Sequence, residues 1–547
     1  MIVVGDLQVS NGCAEEQRLS LLHIKTLFLS YNSPQFSNYN NFPSWTGTNC
    51  CDWDRVKCDS SGTHVVDLLL YNSFWGQIYP FNQNYHYWFN LSLFQNFKEL
   101  KILDLAYNGF TDFSENQGLE NLRELHLRGN ALNHMLELQG LENLRELDLS
   151  FNGLNTLQLQ GLDGFSSLKT LETLNLENNY LNNSIFASLR GLISLKILNL
   201  YGNKDLGGII PTQEFCERNN LVELNLRNNQ IRGEFPECVG NLTRLKHVDT
   251  SCNQFCGKFP TTISKLTSLE YLSLHENDFE GAFSLSSLAL NNSKLEHLDL
   301  SNNSLTGPLQ LSTWNHSLKR FEISSNLFGG QLPTHLGLLI PKVEHFNISR
   351  NSFEGNLPPS MKQMKSLSWL DVSNNKFSGN LQMSLFNIMP SLEFLLLANN
   401  NFSGSIEDER IDNTLLVALD ISNNTISGKI PSWIGSLTLL QYVQMSRNRF
   451  AGMIPTAPHF TYPESSFYGN PYLCGSYIEH KCSRSPVLPT DNKSAKWEEE
   501  EDGAFIDLEA FYWSFAASYI VILLGFVVVL YTNPQWRQRW FYFFEDC

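Results

Sequence analysis

The sequence is short of charged residues, and of basic residues in particular. Only 17% of its 547 residues are charged, and 38 Lys and Arg stand against 55 Asp and Glu, a formal net charge of −17. Binding to nucleic acid through phosphates requires a net basic surface. The composition therefore excludes nucleic-acid binding as the main function.

Motifs of catalytic machinery are also missing. The sequence has no G-x-x-x-x-G-K-[ST] phosphate loop, no protein-kinase motif set and no G-x-S-x-G nucleophile turn. Its 13 His include no H-E-x-x-H pair, and no C-x2-C pair supports a zinc site at Cys50, Cys51 and Cys58. We therefore expect a protein that is not an enzyme and that has neither a metal site nor a cofactor.

The N-terminus lacks the features of a secretory signal peptide. Residues 1–12 have no basic start, and Asp6 and Gln8 interrupt the apolar stretch. We interpret residues 1–12 as a residual or misassigned signal region.

Long uncharged apolar runs are rare, and the clearest lies near the C-terminus. Residues 511–532 contain no charged residue, and as a helix they would span about 33 Å, enough to cross a bilayer. An acidic run precedes this segment, and Arg537 and Arg539 follow it. The positive-inside rule then predicts a single-pass protein of the plasma membrane with its N-terminus outside. Small residues that would allow a partner helix to pack closely are Ser514, Ala517, Ser518 and Gly525.

Sequons and cysteines favour an extracellular location for the long N-terminal part. Ten Cys precede the apolar run and one, Cys547, follows it; an even number suits a disulfide-bonded ectodomain. Ten Asn-x-Ser/Thr sequons predict N-glycosylation. They begin at Asn90, Asn182, Asn241, Asn291, Asn302, Asn315, Asn347, Asn401, Asn423 and Asn492.

The strongest signal is an internal repeat. The pattern L-x-x-L-x-L-x-x-N recurs fifteen times, from Asn108 to Asn448, with a mean spacing of about 24 residues. Each L-x-L supplies a short strand with one buried face, which only the neighbouring units can cover. The Asn side chain, with two donors and an acceptor, is expected to turn inward and satisfy backbone groups where the chain leaves the strand. The pattern predicts an α/β solenoid with a long parallel sheet.

The repeats and their flanking segments resemble a known family. Units such as Ile426-Ser-Gly-Lys-Ile-Pro431 resemble the plant-specific subclass of leucine-rich repeats, and NCCDWDRVKC and FYGNPYLC resemble that family's N- and C-terminal caps. With the apolar segment and a tail without a kinase, the chain resembles plant receptor-like proteins. The resemblance implies a right-handed superhelix of about 15 repeats with disulfide caps. The implied cap cysteines are Cys13 with Cys50, Cys51 with Cys58, and Cys474 and Cys482.

The resemblance also implies a function. Members of the family perceive extracellular ligands, often in defence or development, and signal through a membrane receptor kinase that acts as co-receptor. This chain departs from the family pattern because the non-repeat island and the repeats that follow it are absent from the sequence. Two alternatives therefore stay open: a truncated, non-signalling copy, and a binding module similar to polygalacturonase-inhibiting proteins.

The domain organisation follows from these features. We predict a residual signal region (1–12), an N-terminal cap (13–95), leucine-rich repeats (96–456), a C-terminal cap (457–497), an acidic juxtamembrane stretch (498–510), a transmembrane helix (511–532) and a cytoplasmic tail (533–547).

The concave face of the solenoid is the expected binding surface. The residue just before the second Leu of each unit should point outward, and from the seventh unit on this column is rich in rings and cationic groups. Such a stripe suits an extended peptide or glycan, although Tyr and His are also common at exposed strand positions. A glycan on Asn347 would obstruct it. The predicted ligand-binding residues are His247, Tyr271, His297, Arg320, His345, Trp369, Phe394 and Tyr442.

Four cysteines inside the repeats carry no fixed assignment. Cys216 and Cys238 lie about one repeat apart and could bridge neighbouring coils, whereas Cys252 and Cys256 could form a local pair or serve as small buried residues.

Overall fold

The chain divides into two compact units, Met1–Lys481 and Cys482–Cys547, and all the residues that the structure describes, apart from Cys482, lie in the first. The structure is a computed structural model. It describes residues 12–30, 42, 44–73, 88–114, 118–132, 138, 140–155, 164–216, 220–285, 288, 292–310, 317–381, 383, 386, 389–406, 415–456, 462–475, 478 and 482.

A sheet of 17 strands, here called the front sheet, is the main sheet of the fold. Its first two strands pair antiparallel, and from the second strand onward the pairing is parallel, with one strand per repeat in chain order. The strands are Val56–Cys58, Val65–Leu69, Ile102–Asp104, Glu124–His126, Glu146–Asp148, Thr173–Asn175, Ile197–Asn199, Glu223–Asn225, His247–Asp249, Tyr271–Ser273, His297–Asp299, Arg320–Glu322, His345–Asn347, Trp369–Asp371, Phe394–Leu396, Ala418–Asp420 and Tyr442–Gln444.

The repeat leucines behave as the pattern predicts. In most front-sheet strands the middle residue is fully buried, as at Leu103 and Leu147, while the two flanking residues are partly exposed. This alternation follows from the strand period of two. Each strand therefore has one face in a continuous core and one face open to solvent.

The repeat asparagines form a ladder of side-chain hydrogen bonds through the core. Asn203, fully buried, is typical: its Nδ2 donates to the carbonyls of Leu176, Leu200 and Tyr201 at 3.0, 3.0 and 3.3 Å. Its Oδ1 accepts from the backbone N–H of Leu181 at 3.2 Å. The predicted inward orientation of these side chains is thus what the structure has, and each such side chain joins its own repeat to the one before it.

A second parallel sheet of nine strands, the back sheet, was not predicted. It is built from the segment after the repeat Asn, where the N-x-F-x-G pattern buries one residue, such as Phe377, and exposes its neighbours. Phe377 stacks on Phe353 and Phe402, each at 6.2 Å between ring centroids. The Gly of this pattern has a positive φ, for example 84° at Gly379, which explains why a Gly is needed there.

The back-sheet strands are Gly207–Gly208, Gln230–Glu234, Gln254–Lys258, Asp278–Ala282, Ser304–Pro308, Leu327–Gln331, Ser352–Gly355, Lys376–Asn380 and Asn401–Ser403. Two smaller sheets complete the strands, with Ser427–Gly428, Arg449–Met453 and Tyr472–Cys474 in one and Trp88–Asn90 and Asp112–Ser114 in the other.

Helices are few and mostly short among the described residues. The N-terminal cap begins with the α-helix Glu15–Ser30, which buries Leu21, Ile24 and Phe28, while Leu19 is 53% exposed. The other α-helices are Gly164–Ser167, Ile185–Ser188, Thr212–Cys216 and Leu336–Leu339. The 3-10 helices are Cys50–Asp52, Leu91–Phe94, Leu189–Gly191, Glu237–Asn241, Thr261–Lys265, Pro359–Gln363, Ser432–Ser436 and Glu464–Ser466.

Disulfides close the N-terminal cap and bridge two repeats. The structure contains the Cys13–Cys50 and Cys51–Cys58 bonds that the family resemblance implies. A third bond joins Cys216 to Cys238 across one repeat, and Cys256 is an exposed free thiol. The local pair between Cys252 and Cys256 that the sequence left open is therefore absent.

The C-terminal cap continues the asparagine ladder one unit beyond the predicted repeats. Asn470 donates to the carbonyls of Met445 and Phe467 at 2.9 Å each, and its Oδ1 accepts from the backbone N–H of Phe450 at 3.0 Å. Cys474 and Cys482 are each disulfide-bonded.

The predicted transmembrane helix at 511–532, with its packing residues Ser514, Ala517, Ser518 and Gly525, lies outside the described residues. Within the described part of the chain, no helix has both the length and the apolar character needed to cross a bilayer.

Candidate ligand-binding face

The eight residues predicted to bind ligand form one row on the open face of the front sheet. Each is the first residue of its strand, and neighbouring strands place these first residues directly opposite one another. The register pairs run His247–Tyr271, Tyr271–His297, His297–Arg320, Arg320–His345, His345–Trp369, Trp369–Phe394, Phe394–Ala418 and Ala418–Tyr442. We call these eight residues the stripe. Ala418, which is buried, is not one of them.

The rings of the stripe contact one another from strand to strand. Tyr271 stacks on His297 with ring centroids 4.2 Å apart, and Trp369 packs between His345 at 5.4 Å and Phe394 at 4.3 Å. Arg320 lies between the two ring groups. Because parallel strands stand about 4.8 Å apart, rings in register are held at stacking distance by the sheet itself. The stripe thus contains two groups of stacked rings with Arg320 between them, and the buried Ala418 separates Tyr442 from the second group.

Ionisable groups at the strand ends lie beside the centre of the stripe on the same face. Glu322, only 5% exposed, accepts a hydrogen bond from Ser324 Oγ at 2.7 Å, and its Oε2 lies 2.8 Å from His345 Nε2. His275 Nδ1 lies 3.4 Å from the Asp299 carboxylate in the neighbouring repeat. The carboxylates of Glu322 and Asp299 are thus largely shielded from water within this face.

Burial shifts the protonation of this group toward neutral forms. Desolvation, aided by the charge of Arg320, lowers the pKa of His345 to about 3 and that of His297 to about 4. Desolvation, together with the charge of Asp299, raises the pKa of the Glu322 carboxyl to about 8. Near neutral pH, a protonated Glu322 can donate to a neutral His345, which fits the short distance between them.

Two donors in the stripe have no hydrogen-bond partner within the described part of the chain. They are Arg320 Nε and Trp369 Nε1, and both atoms are hidden from solvent. An unpaired buried donor costs about 1–3 kcal/mol. The centre of the stripe is therefore short of hydrogen-bond acceptors among the described residues.

The raised pKa of Glu322 gives a testable pH dependence. A group with a raised folded pKa contributes stability that is lost as the pH rises through that value. Between pH 6.5 and 8, above the ordinary pKa of His and up to the raised pKa of Glu322, wild type should lose stability while Glu322→Gln should not. We expect urea unfolding at the two pH values to show that the difference in free energy of unfolding between Glu322→Gln and wild type grows by about 1.5 kcal/mol from pH 6.5 to pH 8. A difference that does not change with pH would contradict the raised pKa of Glu322.

Asn347 lies on the same face, as the sequence predicts. It is half-buried at the end of the strand His345–Asn347, and its Oδ1 accepts from the backbone N–H of Ser349 at 3.0 Å. The other described sequon side chains are exposed; they are Asn182, Asn241, Asn302, Asn401 and Asn423. Asn90, Asn291, Asn315 and Asn492 fall outside the described side chains.

The sequence predicts the stripe but not the row of polar residues beside it. The strand-end residues Asp249, Asp299, Glu322 and Asp371 share the open face with the stripe because they lie two positions further along each strand. The signal was present at the middle position of L-x-L, which is Asp, Asn, Glu or Ser in most repeats. It was missed because a polar residue after the second Leu reads as an ordinary exposed position.

Family models match several parts of the chain. A leucine rich repeat model matches residues 219–279, and a second one matches 143–167, 170–192, 294–315 and 415–437. A leucine rich repeat N-terminal domain model matches residues 14–59, which contain the two cap disulfides.

Curated relatives and a solved structure agree with these models. The chain is 30% identical over 254 residues to Receptor like protein 21 of Arabidopsis thaliana, covering 46% of this chain and 21% of that protein. It is 30% identical over 522 residues to Receptor-like protein 14 of Arabidopsis thaliana, covering 68% and 48%. The chain thus spans between about a fifth and a half of these relatives' lengths.

Among solved structures, the fold is similar to the crystal structure of a TDR receptor, with a TM-score of 0.56, 28% identity, and coverage of 64% of this chain and 60% of that one. The matches confirm the family resemblance that the cap and repeat motifs suggest. The chain contains leucine-rich repeats and their N-terminal domain, and it is similar to the plant receptor-like proteins.

Proposed function

We propose that the chain is a cell-surface receptor-like protein that binds an extracellular peptide or glycan through the stripe. The observation that carries the proposal is the set of ring stacks on the open face, with Tyr271 against His297 and Trp369 between His345 and Phe394. Rings offer faces on which sugars or side chains stack.

The proposed signalling mode rests on the sequence and on the family resemblance. The sequence contains no kinase motifs, and the predicted helix at 511–532 would hold the chain in the plasma membrane as an N-glycosylated, single-pass protein. Binding energy gained at the stripe would then need a membrane receptor kinase as partner to produce a signal, in defence or in development. The predicted contact for that partner's helix is formed by Ser514, Ala517, Ser518 and Gly525.

A binding experiment with the full chain tests the stripe. Purified full-length protein in detergent is immobilised and exposed to two probes, the peptide fraction and the oligosaccharide fraction of plant extracellular fluid. We expect wild type to retain a component of one fraction and Trp369→Ala to retain at least about tenfold less of it, because aromatic anchors contribute most to binding. Protease or glycosidase treatment of the active fraction identifies the ligand as peptide or glycan.

The matched control is Tyr180→Ala, which removes an aromatic side chain that is 56% exposed and lies outside the stripe. It should bind like wild type. Equal retention by wild type and Trp369→Ala would contradict the proposal. Retention of an intact secreted glycosidase instead of a peptide or sugar would favour the inhibitor-like alternative.

A further inference from the structure

We propose that Glu124, His126 and Glu146 form a binding site for one divalent transition-metal ion, with Zn²⁺ as the best match. The site lies on the open face of the front sheet, several repeats before the stripe, and the proposal does not depend on the proposed function. It departs from the expectation that the chain has no metal site.

The sheet register brings the three side chains together. Glu124 and His126 are the first and last residues of one strand and so point to the same side, and Glu146 lies directly opposite Glu124 on the next strand. One ligand atom from each of the three residues lies within 4.8 Å of the others, and His126 Nε2 is 3.4 Å from Glu146 Oε1. Small rotamer changes would bring the three atoms to a common ion.

His126 lacks a side-chain to backbone hydrogen bond that the equivalent residues of neighbouring repeats make. At the strand-end position, Asp104, Asp148 and Asn175 each use Oδ1 to accept from the backbone N–H two residues further on, at 2.9, 2.9 and 3.2 Å. An imidazole has no carbonyl oxygen for this bond. His126 Nε2 is instead hidden from solvent and lacks a hydrogen-bond partner among the described residues. A broken local rule of this kind is typical of a functional position.

The surroundings of His126 are negative. In the sheet register it lies between Asp104 and Asp148, and Glu124 and Glu146 lie on the same face. Arg128, two residues after His126, is engaged elsewhere: its Nε donates to Tyr107 Oη at 2.7 Å and its guanidinium lies 3.8 Å from the Glu177 carboxylate. The cluster therefore attracts a cation, which a neutral imidazole can ligate.

The donor set selects the class of ion. One imidazole nitrogen and two carboxylate oxygens, with water in the fourth position, suit Zn²⁺ with bonds of about 2.0–2.2 Å. Mg²⁺ and Ca²⁺ prefer sites built from oxygen alone. A sequence motif such as H-E-x-x-H cannot identify this site, because strand pairing and not sequence spacing brings Glu146 to the other two residues.

The test measures Zn²⁺ binding to the purified full-length chain by competition with a chromogenic chelator. We expect wild type to bind one more Zn²⁺ than His126→Asn and Glu146→Gln, or to bind it at least about tenfold more tightly. His126→Asn is suited to the test because Asn at this position caps the strand end in neighbouring repeats, so the variant should fold. A thermal melt gives a second readout: Zn²⁺ should raise the unfolding midpoint of wild type but not that of His126→Asn.

The matched control is His64→Asn. His64 lies outside the stripe, and its Nδ1 is 3.5 Å from one carboxylate, that of Asp59, so its ring has one acidic contact where His126 has two glutamates beside it. This variant should keep the wild-type Zn²⁺ stoichiometry and affinity. Equal binding by wild type and His126→Asn, or displacement of the ion by modest excess of Mg²⁺, would overturn the proposal.

Discussion

Replacing Asn203 by Ala is expected to lower the free energy of unfolding by about 4 kcal/mol, since it leaves several buried backbone groups unpaired at about 1–3 kcal/mol each. Three carbonyls lose their donor and the N–H of Leu181 loses its acceptor. The side chain is fully buried, so water cannot replace it without opening the core. Urea unfolding followed by far-ultraviolet circular dichroism measures the loss.

The control for this substitution is Asn121→Ala. Asn121 is exposed and its Nδ2 donates one hydrogen bond, to the carbonyl of Lys98 at 2.9 Å. Its removal should cost less than about 1 kcal/mol because water can take over the bond. Similar unfolding midpoints for the two variants would mean that the asparagine ladder does not hold the repeats together.

Removal of the Cys13–Cys50 disulfide, by Cys13→Ser with Cys50→Ser, is expected to have a similarly large effect. The bond closes a loop of 37 residues, and the Cys51–Cys58 bond closes one of only 7. In the chain-entropy model these loops correspond to about 4 and about 2.5 kcal/mol of stabilisation. The longer loop also fixes the helix Glu15–Ser30, which covers the first hydrophobic coil.

Urea unfolding of the two double variants distinguishes the contributions. We expect the Cys13/Cys50 variant to unfold at a lower urea concentration than the Cys51/Cys58 variant. The reverse order would show that local geometry in the cap, and not loop length, decides its stability.

The front sheet and the asparagine ladder could be predicted because they depend on local chemistry that recurs in every repeat. A buried Leu pair needs a neighbour on both sides, and an inward Asn satisfies the backbone where the chain turns. The back sheet was missed because a core position alone accounts for Phe377 and its equivalents. The alternation of buried and exposed residues around them is also that of a strand. Asn470 was missed because the cap motif lacks the repeat leucines around it.

The candidate sites show the same division. The stripe was predictable because its residues share one position of the repeat, so phase alone aligns them. Other features depend on which side chains meet across strands. They are the buried donors of Arg320 and Trp369, the buried contact between Glu322 and His345, and the cluster of Glu124, His126 and Glu146. A single repeat pattern assigns positions but does not determine those pairings.

Site-resolved mass mapping of N-glycans, on the chain expressed in plant cells, tests the central claim most directly. If the repeats form an extracellular binding face, the exposed sequons at Asn182, Asn241, Asn302, Asn401 and Asn423 should carry glycans. Asn347 also has a sequon, but it is half-buried within the face that holds the stripe, so we expect it to carry no glycan. Absence of glycans at all these sites would contradict the extracellular location, and a glycan on Asn347 would contradict ligand binding by the stripe.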